Sequence, residues 1–373
     1  MKRLKTCTIT HHTVPNYGAV LQAYALQKTL DSLGFVNEIL DYDSERVKYL
    51  YHLKYNKNGS LKNKIGFCVT YCIYSKKNKL FKKFVDKYIK VSSVTYNKSN
   101  LKDSEQLYDL FITGSDQVWN LKIHQGDTAY MLDFISDSKK KGSYAASFGY
   151  ESIPDKYKAD TKKYLSTFSY INVRETTGKN ILTNDLCLNN EVSVVLDPTL
   201  LLGKKEWLKL ASVNNPHGDY ILIYDLINSS ELIAFACQLS RITHCKLIVI
   251  NHQFKKRKHC KNLYFVSPEN FISLFHHAKY VITSSFHGVA FSLILHKQFY
   301  YQLNKAKQNN NSRITDLINK LDLENRFIGT TDLTKSLDSI DYKTVNEKLD
   351  IQIKQSSAAL IDMLSSVKAE DDS

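Results

Sequence analysis

Six short segments gather side chains able to bind a ligand or move a proton. In "TSSFHG" (283–288) three hydroxyl residues, Thr283, Ser284 and Ser285, precede His287 and Gly288. An apolar run lies on each side, so the segment reads as a strand handing over to a helix. Ser284 and Ser285 can cap that helix, whose first turn carries free N–H groups and positive potential. An imidazole gives and takes protons near neutral pH, whereas a packed histidine needs a polar partner and an apolar residue there would need none. His287 is therefore the candidate general acid or base. "TGSDQVWN" (113–120) gathers Ser115, Asp116, Gln117 and Asn120 around Gly114, next to the indole of Trp119. Asp116 can accept a proton or hold two sugar hydroxyls; a local Asx-turn network is the structural alternative.

The other segments are individually weaker. After His11 and His12 comes Asn16-Tyr17-Gly18, where Gly18 lets a backbone approach a ligand and the following helix start favours an anion; Asn16 as a plain cap is the alternative. "SYAASFG" (143–149) offers Ala145, Ala146, Ser147 and Phe148, with tight packing the reading for the alanines. Arg174, in "VRE", can clamp a carboxylate or phosphate bidentately, or pair internally with Glu175 or Asp197. Asp197 before Pro198 reads as structural. Asp41-Tyr42-Asp43 looks like a metal-binding carboxylate pair of some sugar transferases, but reads better as a strand end. Cys68 and Cys72 have no second pair at ligand spacing, so no metal is expected.

All six segments follow strand-like runs, and those runs alternate with helix-like ones. That pattern predicts an α/β chain with parallel sheets. Strands are expected at 4–10, 35–42, 108–114, 141–149, 170–175 and 192–201, with a helix at 19–33 ended by Gly34. Residues 44–105 are expected to be helical and lysine-rich. A second alternation gives strands at 218–226, 245–251, 279–284 and 298–303, with helices at 230–242, 268–277, from 287 and at 312–322. An amphipathic helix follows at 344–365, then an unstructured tail "KAEDDS". The expected domains are 1–205, with a basic helical insertion at 44–105, and 206–343, followed by a C-terminal helix and tail at 344–373. Doubly wound halves bind ligands at the C-terminal ends of their strands.

The chain has 373 residues, 43% of them hydrophobic, enough for two ordinary cores. The N-terminus has no signal-like h-region, no stretch suits a bilayer span, and seven cysteines without framework spacing fit reduced thiols. A cytoplasmic chain is expected. The formal net charge of +14 favours acidic partners: nucleic acid, an anionic membrane surface or a phosphorylated substrate. No nucleic-acid recognition motif accompanies it, so nucleic acid is set aside. Part of the charge lies in 75–90, where Leu80, Phe81, Phe84, Val85, Tyr88 and Ile89 repeat at helical spacing among lysines. A helix docked on the core with a solvated back is the favoured reading, and a membrane-surface helix the alternative.

Taken together, "NYGAVLQAYALQ" (16–27), "TGSDQVWN", "SYAASFG", "VRE", "LDPTLL" (196–201) and "SSFHG" (284–288), in that order, make the chain resemble the polysaccharide pyruvyl transferase family over nearly its whole length. The resemblance implies two Rossmann-like domains facing across a cleft, similar to GT-B glycosyltransferases. It also implies transfer of the carboxyethylidene group of phosphoenolpyruvate to two hydroxyls of a sugar, giving a cyclic ketal, during bacterial surface or exopolysaccharide synthesis. His287 would correspond to the family's general acid and Arg174 to its donor-binding arginine. Some members carry an arginine where this chain has Ser285, so Lys305 and Arg313 are the substitute cations. The expected donor set is thus Arg174, Ser284, Ser285, Gly288, Lys305 and Arg313, with His287 and Asp116 catalytic. The expected acceptor set is Asn16, Tyr17, Gly18, Ser115, Gln117, Trp119, Asn120, Ser147 and Phe148. Phosphoenolpyruvate is the donor substrate and no cofactor is expected. The partners are a sugar or lipid-linked oligosaccharide and peripheral contact with the inner membrane surface. Two other functions stay open: a GT-B-like glycosyltransferase using a nucleotide sugar, which would lack its glycine fingerprint here, and a non-catalytic glycan- or anion-binding homologue.

Overall fold

The structure is a computed structural model that describes residues 4–44, 61–212, 217–251, 256–305, 311–333 and 337–371. Its contacts divide the chain into two units, Met1–Leu201 with Gln355–Ser373, and Leu202–Lys354. The first holds seven parallel strands: β1 (Lys5–Ile9), β2 (Val36–Tyr42), β3 (Val91–Tyr96), β4 (Leu110–Thr113), β5 (Lys141–Ala146), β6 (Tyr170–Val173) and β7 (Val192–Val194). Their order is β3-β2-β1-β4-β5-β6-β7. Every residue of β4 is buried, as expected of a central parallel strand covered on both faces. The chain winds one way from β1 to β2 and β3 and the other way from β4 outwards. The segments after β1 and β4 therefore flank the switch point of the sheet, where Ile9 pairs with Thr113.

The second unit repeats the scheme with β8 (Tyr220–Tyr224), β9 (Lys246–Ile250), β10 (Lys261–Leu263), β11 (Tyr280–Thr283) and β12 (Gln298–Tyr301), in the order β10-β9-β8-β11-β12. Its switch point lies between β8 and β11, where Thr283 pairs with Tyr224. The helix that follows β11, Phe286–Ile294, buries every residue, and its apolar composition follows from that position under the sheet.

Two expectations change and a third holds. The 44–105 region is not helical throughout: "VSSVTY" forms the edge strand β3. The chain from Gln355 onwards is part of the first unit rather than a separate segment. Leu360, Met363 and Leu364 complete a core with Leu4, Leu26, Leu110 and Ile112, and the helix Tyr342–Asp371 takes in most of the tail expected to be unstructured. The docked reading of 75–90 holds: helix Leu61–Tyr88 buries Phe81, Phe84 and Val85, and Ile89 just after it is buried too, with Tyr17 5.0 Å from Phe81 and Tyr24 5.9 Å from Phe84 between ring centroids. Each such aromatic contributes about 2–3 kcal/mol by burial. The apolar face is thus committed to the core and cannot enter a membrane, which leaves only the lysine-bearing outer face for such a contact. Among the described residues no helix is long and apolar enough to cross a membrane. Cys68 and Cys72 lie outside the described side chains.

Candidate functional site

In the first unit, the ends of β4, β6 and β7 converge on one guanidinium. Arg174 donates to Asp197 Oδ2 at 3.0 Å and to Ser115 Oγ at 3.3 Å from Nη1, and to Asp116 Oδ1 at 3.4 Å from Nη2. Its Nε lies 3.7 Å from Glu175 Oε2. The Arg174 side chain is 1% exposed. Three carboxylates thus surround one cation in a buried setting, held further by Ser115 donating to Asp197 at 2.8 Å and Ser147 donating to Glu175 at 2.7 Å. The internal ion pair is the geometry found, and it corrects the expectation of Arg174 as a donor clamp: a sealed guanidinium facing three carboxylates has no face to offer a phosphate.

Asp116 differs from its neighbours. Its side chain is 14% exposed, against 3% for Glu175 and 0% for Asp197. It also adopts φ 81, in the left-handed region that a non-glycine residue enters at a cost of about 1–3 kcal/mol. Its carbonyl accepts from Val118 N at 2.8 Å and Ser147 N at 3.0 Å, which fix that turn against the end of β5. Nearby, His11 Nε2 lies 3.3 Å from His124 Nε2. Burial pushes His124 down to about 3, helped by His11, and His11 is lowered by burial with Asp116 pulling it partly back. Both rings are held as neutral imidazoles.

The expected acceptor residues have structural partners instead. Trp119 is fully buried and donates from its indole to Tyr130 O at 3.0 Å. Phe148, Ser115 and Ser147 are fully buried as well, and Tyr17 packs on Phe81. Asn16 accepts from Gly18 N at 3.0 Å as an N-cap, Asn120 accepts from Ile123 N at 3.2 Å, and Asn120 donates to Gln117 Oε1 at 3.1 Å. Packing and capping describe these contacts, and none of them is itself a contact with a sugar.

In the second unit the switch point carries a different set. Thr283 Oγ1 donates to Tyr224 O at 2.7 Å and accepts from Ser285 N at 3.1 Å. Ser284 Oγ donates to Asp225 Oδ1 at 2.9 Å and accepts from Leu226 N at 2.8 Å. The expected caps are therefore corrected: Ser284 ties β11 to the turn after β8, and Ser285 occupies the N-cap position without a side-chain capping bond. Gly288 is dictated by packing, since a Cβ there would stand 2.1 Å from Thr283 Oγ1. His287 keeps 7% of its surface, whereas Val289, Ala290 and Phe291 behind it keep none; its ring meets Phe286 edge-on at 5.2 Å. Lys305 pairs with Glu231 at 2.5 Å and is 72% exposed, and Arg313 lies in the first turn of helix Ser312–Lys320.

Two residues of this site escape a reading of the sequence. Asp225 is 1% exposed at its side chain and accepts from Ser284, Ile227 N and Ser229 N; Arg257 reaches it at 3.2 Å from Nη2 and is 16% exposed. Asp225 ends β8 as Asp116 follows β4, which is the signal that finds it. Arg257 hides in the basic run "KKRKHC". Among the described residues no group of three or more His, Cys, Asp or Glu is placed to hold a metal ion.

Two parallel-sheet units, each with polar side chains at its switch point, define a two-domain Rossmann-like, GT-B-like α/β protein. The structure of UDP-GlcNAc 2-epimerase from Methanocaldococcus jannaschii is similar, with a TM-score of 0.50 and 14% identity over 98% of this chain and 99% of that one. The Neisseria meningitidis UDP-GlcNAc 2-epimerase gives 0.49 and 10% over 97% and 99%, and the glycosyltransferase SnogD from Streptomyces nogalater 0.44 and 11% over 99% and 99%. At such identity the likeness to the first speaks for the fold alone. No curated protein matches the chain. The family model for polysaccharide pyruvyl transferase matches residues 16–301, and the chain belongs to that family.

Proposed function

We propose that this protein transfers the pyruvyl group of phosphoenolpyruvate to two hydroxyls of a sugar, forming a cyclic ketal during bacterial surface polysaccharide assembly in the cytoplasm. The observation that carries the reading, beside the family, is the start of helix Phe286–Ile294: no side chain caps it from Ser285, and His287 stands in its first turn directly after the end of β11. The positive end of the helix dipole favours an anion such as the donor's phosphate or carboxylate. Arg257, held by Asp225 next to Ser284, supplies a cation at the same strand ends and takes the place of the arginine that Ser285 lacks; Lys305 and Arg313 are secondary candidates.

In this reaction His287 delivers a proton to the methylene carbon of phosphoenolpyruvate. One acceptor hydroxyl bonds to the neighbouring carbon and gives its proton to a base, for which Asp116 is the assignment as the most exposed carboxylate of its cluster. The carbon–oxygen bond to phosphate breaks, the second hydroxyl closes the ketal, and its proton leaves with the phosphate. Arg174 then acts by holding Asp116 rather than by touching the donor.

The test is phosphate release from phosphoenolpyruvate with and without sugar acceptors. Acceptor-dependent release that falls on the order of 10²- to 10⁴-fold in His287→Ala is expected. No release with any acceptor, together with tight binding of a nucleotide sugar, would replace this reading by glycosyl transfer. Stabilisation by phosphoenolpyruvate without turnover would make the protein a binding homologue. A lipid-linked acceptor suits the lysines on the outer face of helix Leu61–Tyr88; flotation with anionic but not neutral liposomes is expected, and indifference to lipid charge removes the membrane contact.

A further inference from the structure

At the N-terminal edge of the second sheet, four basic side chains of one unit come from three neighbouring elements. Lys297 precedes β12, and His296 stands before it in the turn that follows helix Phe286–Ile294. His276 lies in the last turn of helix Pro268–His277, and Lys204 opens the short helix Lys204–Leu208, which packs against it. We propose that Lys204, His276, His296 and Lys297 bind the phosphate group of a small ligand, at a site separate from the one assigned to the donor. Strands β11 and β12 are parallel, so Lys297 before one and Ser284 after the other lie at opposite ends of the sheet, at least about 13 Å apart along the strands. The site stands whether or not the proposed reaction does.

The end of a helix attracts a cation, but one suffices here. Lys297 Nζ donates to His276 O and, at 3.2 Å, to Ala278 O, which closes the end of helix Pro268–His277. Carbonyls accept without neutralising its charge. Lys204 has no ion pair or hydrogen bond among the described residues, and His276 Nδ1 is buried without a partner. Two carboxylates on the adjoining stretches are already engaged: Asp219, before β8, with Lys279 at 3.0 Å, and Glu206 with Lys209 at 2.6 Å. The basic groups therefore oppose one another. Burial and Lys204 push Lys297 down to about 8. His276 is lowered by burial, Lys297, His277 and Lys204. His296 is lowered by burial, Lys204 and Lys297, with a hydrogen bond from Asn346 pulling partly back. An anion among them relieves all of these repulsions at once.

The turn is also held in place. The His296 ring stacks on Tyr342, with 4.7 Å between centroids and 27° between planes. Tyr342 Oη donates to Lys297 O at 2.5 Å and to Ser292 O at 3.1 Å, so little ordering remains to be done on binding. Asn346 Nδ2, 3.4 Å from His296 Nε2, adds amide N–H groups to the same face. His296 is exposed and the other three basic residues are half-buried, so a small ligand has access. Ammonium, imidazole and amide N–H groups drawn from several directions suit the three oxygens of a phosphate group better than a neutral sugar.

Titration of the full chain with inorganic phosphate and with glycerol phosphate, read on the Cε1–Hε1 NMR signals of the histidines, tests this. His276 and His296 are assigned by the signals lost in His276→Gln and His296→Gln. Saturable shifts of both signals are expected, with the pH midpoint of each ring raised by about one pH unit or more at saturation. Tighter binding of the ester marks a phosphorylated metabolite as the source, and tighter binding of the ion marks free phosphate; either supports the site. Lys204→Ala removes no hydrogen bond or ion pair of the described residues and should weaken binding about tenfold or more, whereas Arg257→Ala and His287→Gln, on the donor side, should leave it within about twofold. No shift at phosphate concentrations on the order of 10 mM, binding unaltered in Lys204→Ala, or shifts lost in both donor-side variants overturns the proposal.

Discussion

The two sheets end in the same topology and in opposite chemistry. At the first switch point one buried arginine is outnumbered by Asp116, Glu175 and Asp197, and two histidines are held neutral by burial. At the second, Asp225 is the buried carboxylate, surrounded by hydroxyls, backbone N–H groups, Arg257 and a helix start. The first gathers carboxylates around one buried cation; the second gathers hydroxyl and backbone N–H donors and one arginine around a single carboxylate. Under the proposed function the first strand ends would serve the acceptor and the second the donor, although both units use the same winding.

The sharpest way to break this comparison is Arg174→Met. It would leave two buried carboxylates and the partly exposed Asp116 without their cation, a loss of about 3–5 kcal/mol. A fall in Tm on the order of 10 °C is expected. A Tm within 2 °C of the wild type, to about the precision of such a melt, would mean that the cluster is not a structural hub and would return Arg174 to a ligand role. In the second unit Gly288→Ala places a Cβ against Thr283 Oγ1, so overpacking of about 1–3 kcal/mol and a lowered kcat from displacement of His287 are expected. Unchanged stability and rate would show that the helix start tolerates movement.

The neutral histidines give the comparison a pH signature. His124 in the folded chain lies at about 3, below the ordinary 6.5, so the unfolded chain takes the proton first. Stability is full above pH 6.5 and is lost as pH falls from there toward 3, by up to about 1.4 kcal/mol per pH unit for this group. His124→Asn should flatten the Tm profile between pH 6.5 and 5.5; an unaltered slope contradicts burial as a neutral ring. The smallest effect is expected for Ser284→Ala, about 1 kcal/mol, because Asp225 keeps its backbone donors and Arg257. A loss as large as that of Arg174→Met would mean that the second switch point is as tightly coupled as the first.

Much of the framework can be read from local pattern. Runs such as "LFIT" and "YILIY" are apolar on both faces because they are central parallel strands, and each leads to a polar residue where the sheet opens. The place of His287 follows from "YVITSSFHG" for the same reason. The fate of Arg174 does not, because its partners come from elsewhere: Asp116 is 58 residues away and Asp197 is 23. A clamp and an internal ion pair look alike until those strands assemble. Strand β3 is missed because its pattern is only buried at its second and last residues, in a region dominated by lysine. Trp119 misleads in the opposite direction: an indole among polar residues suggests a sugar platform, yet its N–H is spent on Tyr130 O inside the core.

The central claim is that His287 supplies the proton to the donor. It is tested most directly by acceptor-dependent phosphate release from phosphoenolpyruvate in wild type and His287→Gln, with the fold checked by Tm. The account predicts an equal Tm and a rate lower by about 10² or more in the variant. A variant that turns over at the wild-type rate would contradict it.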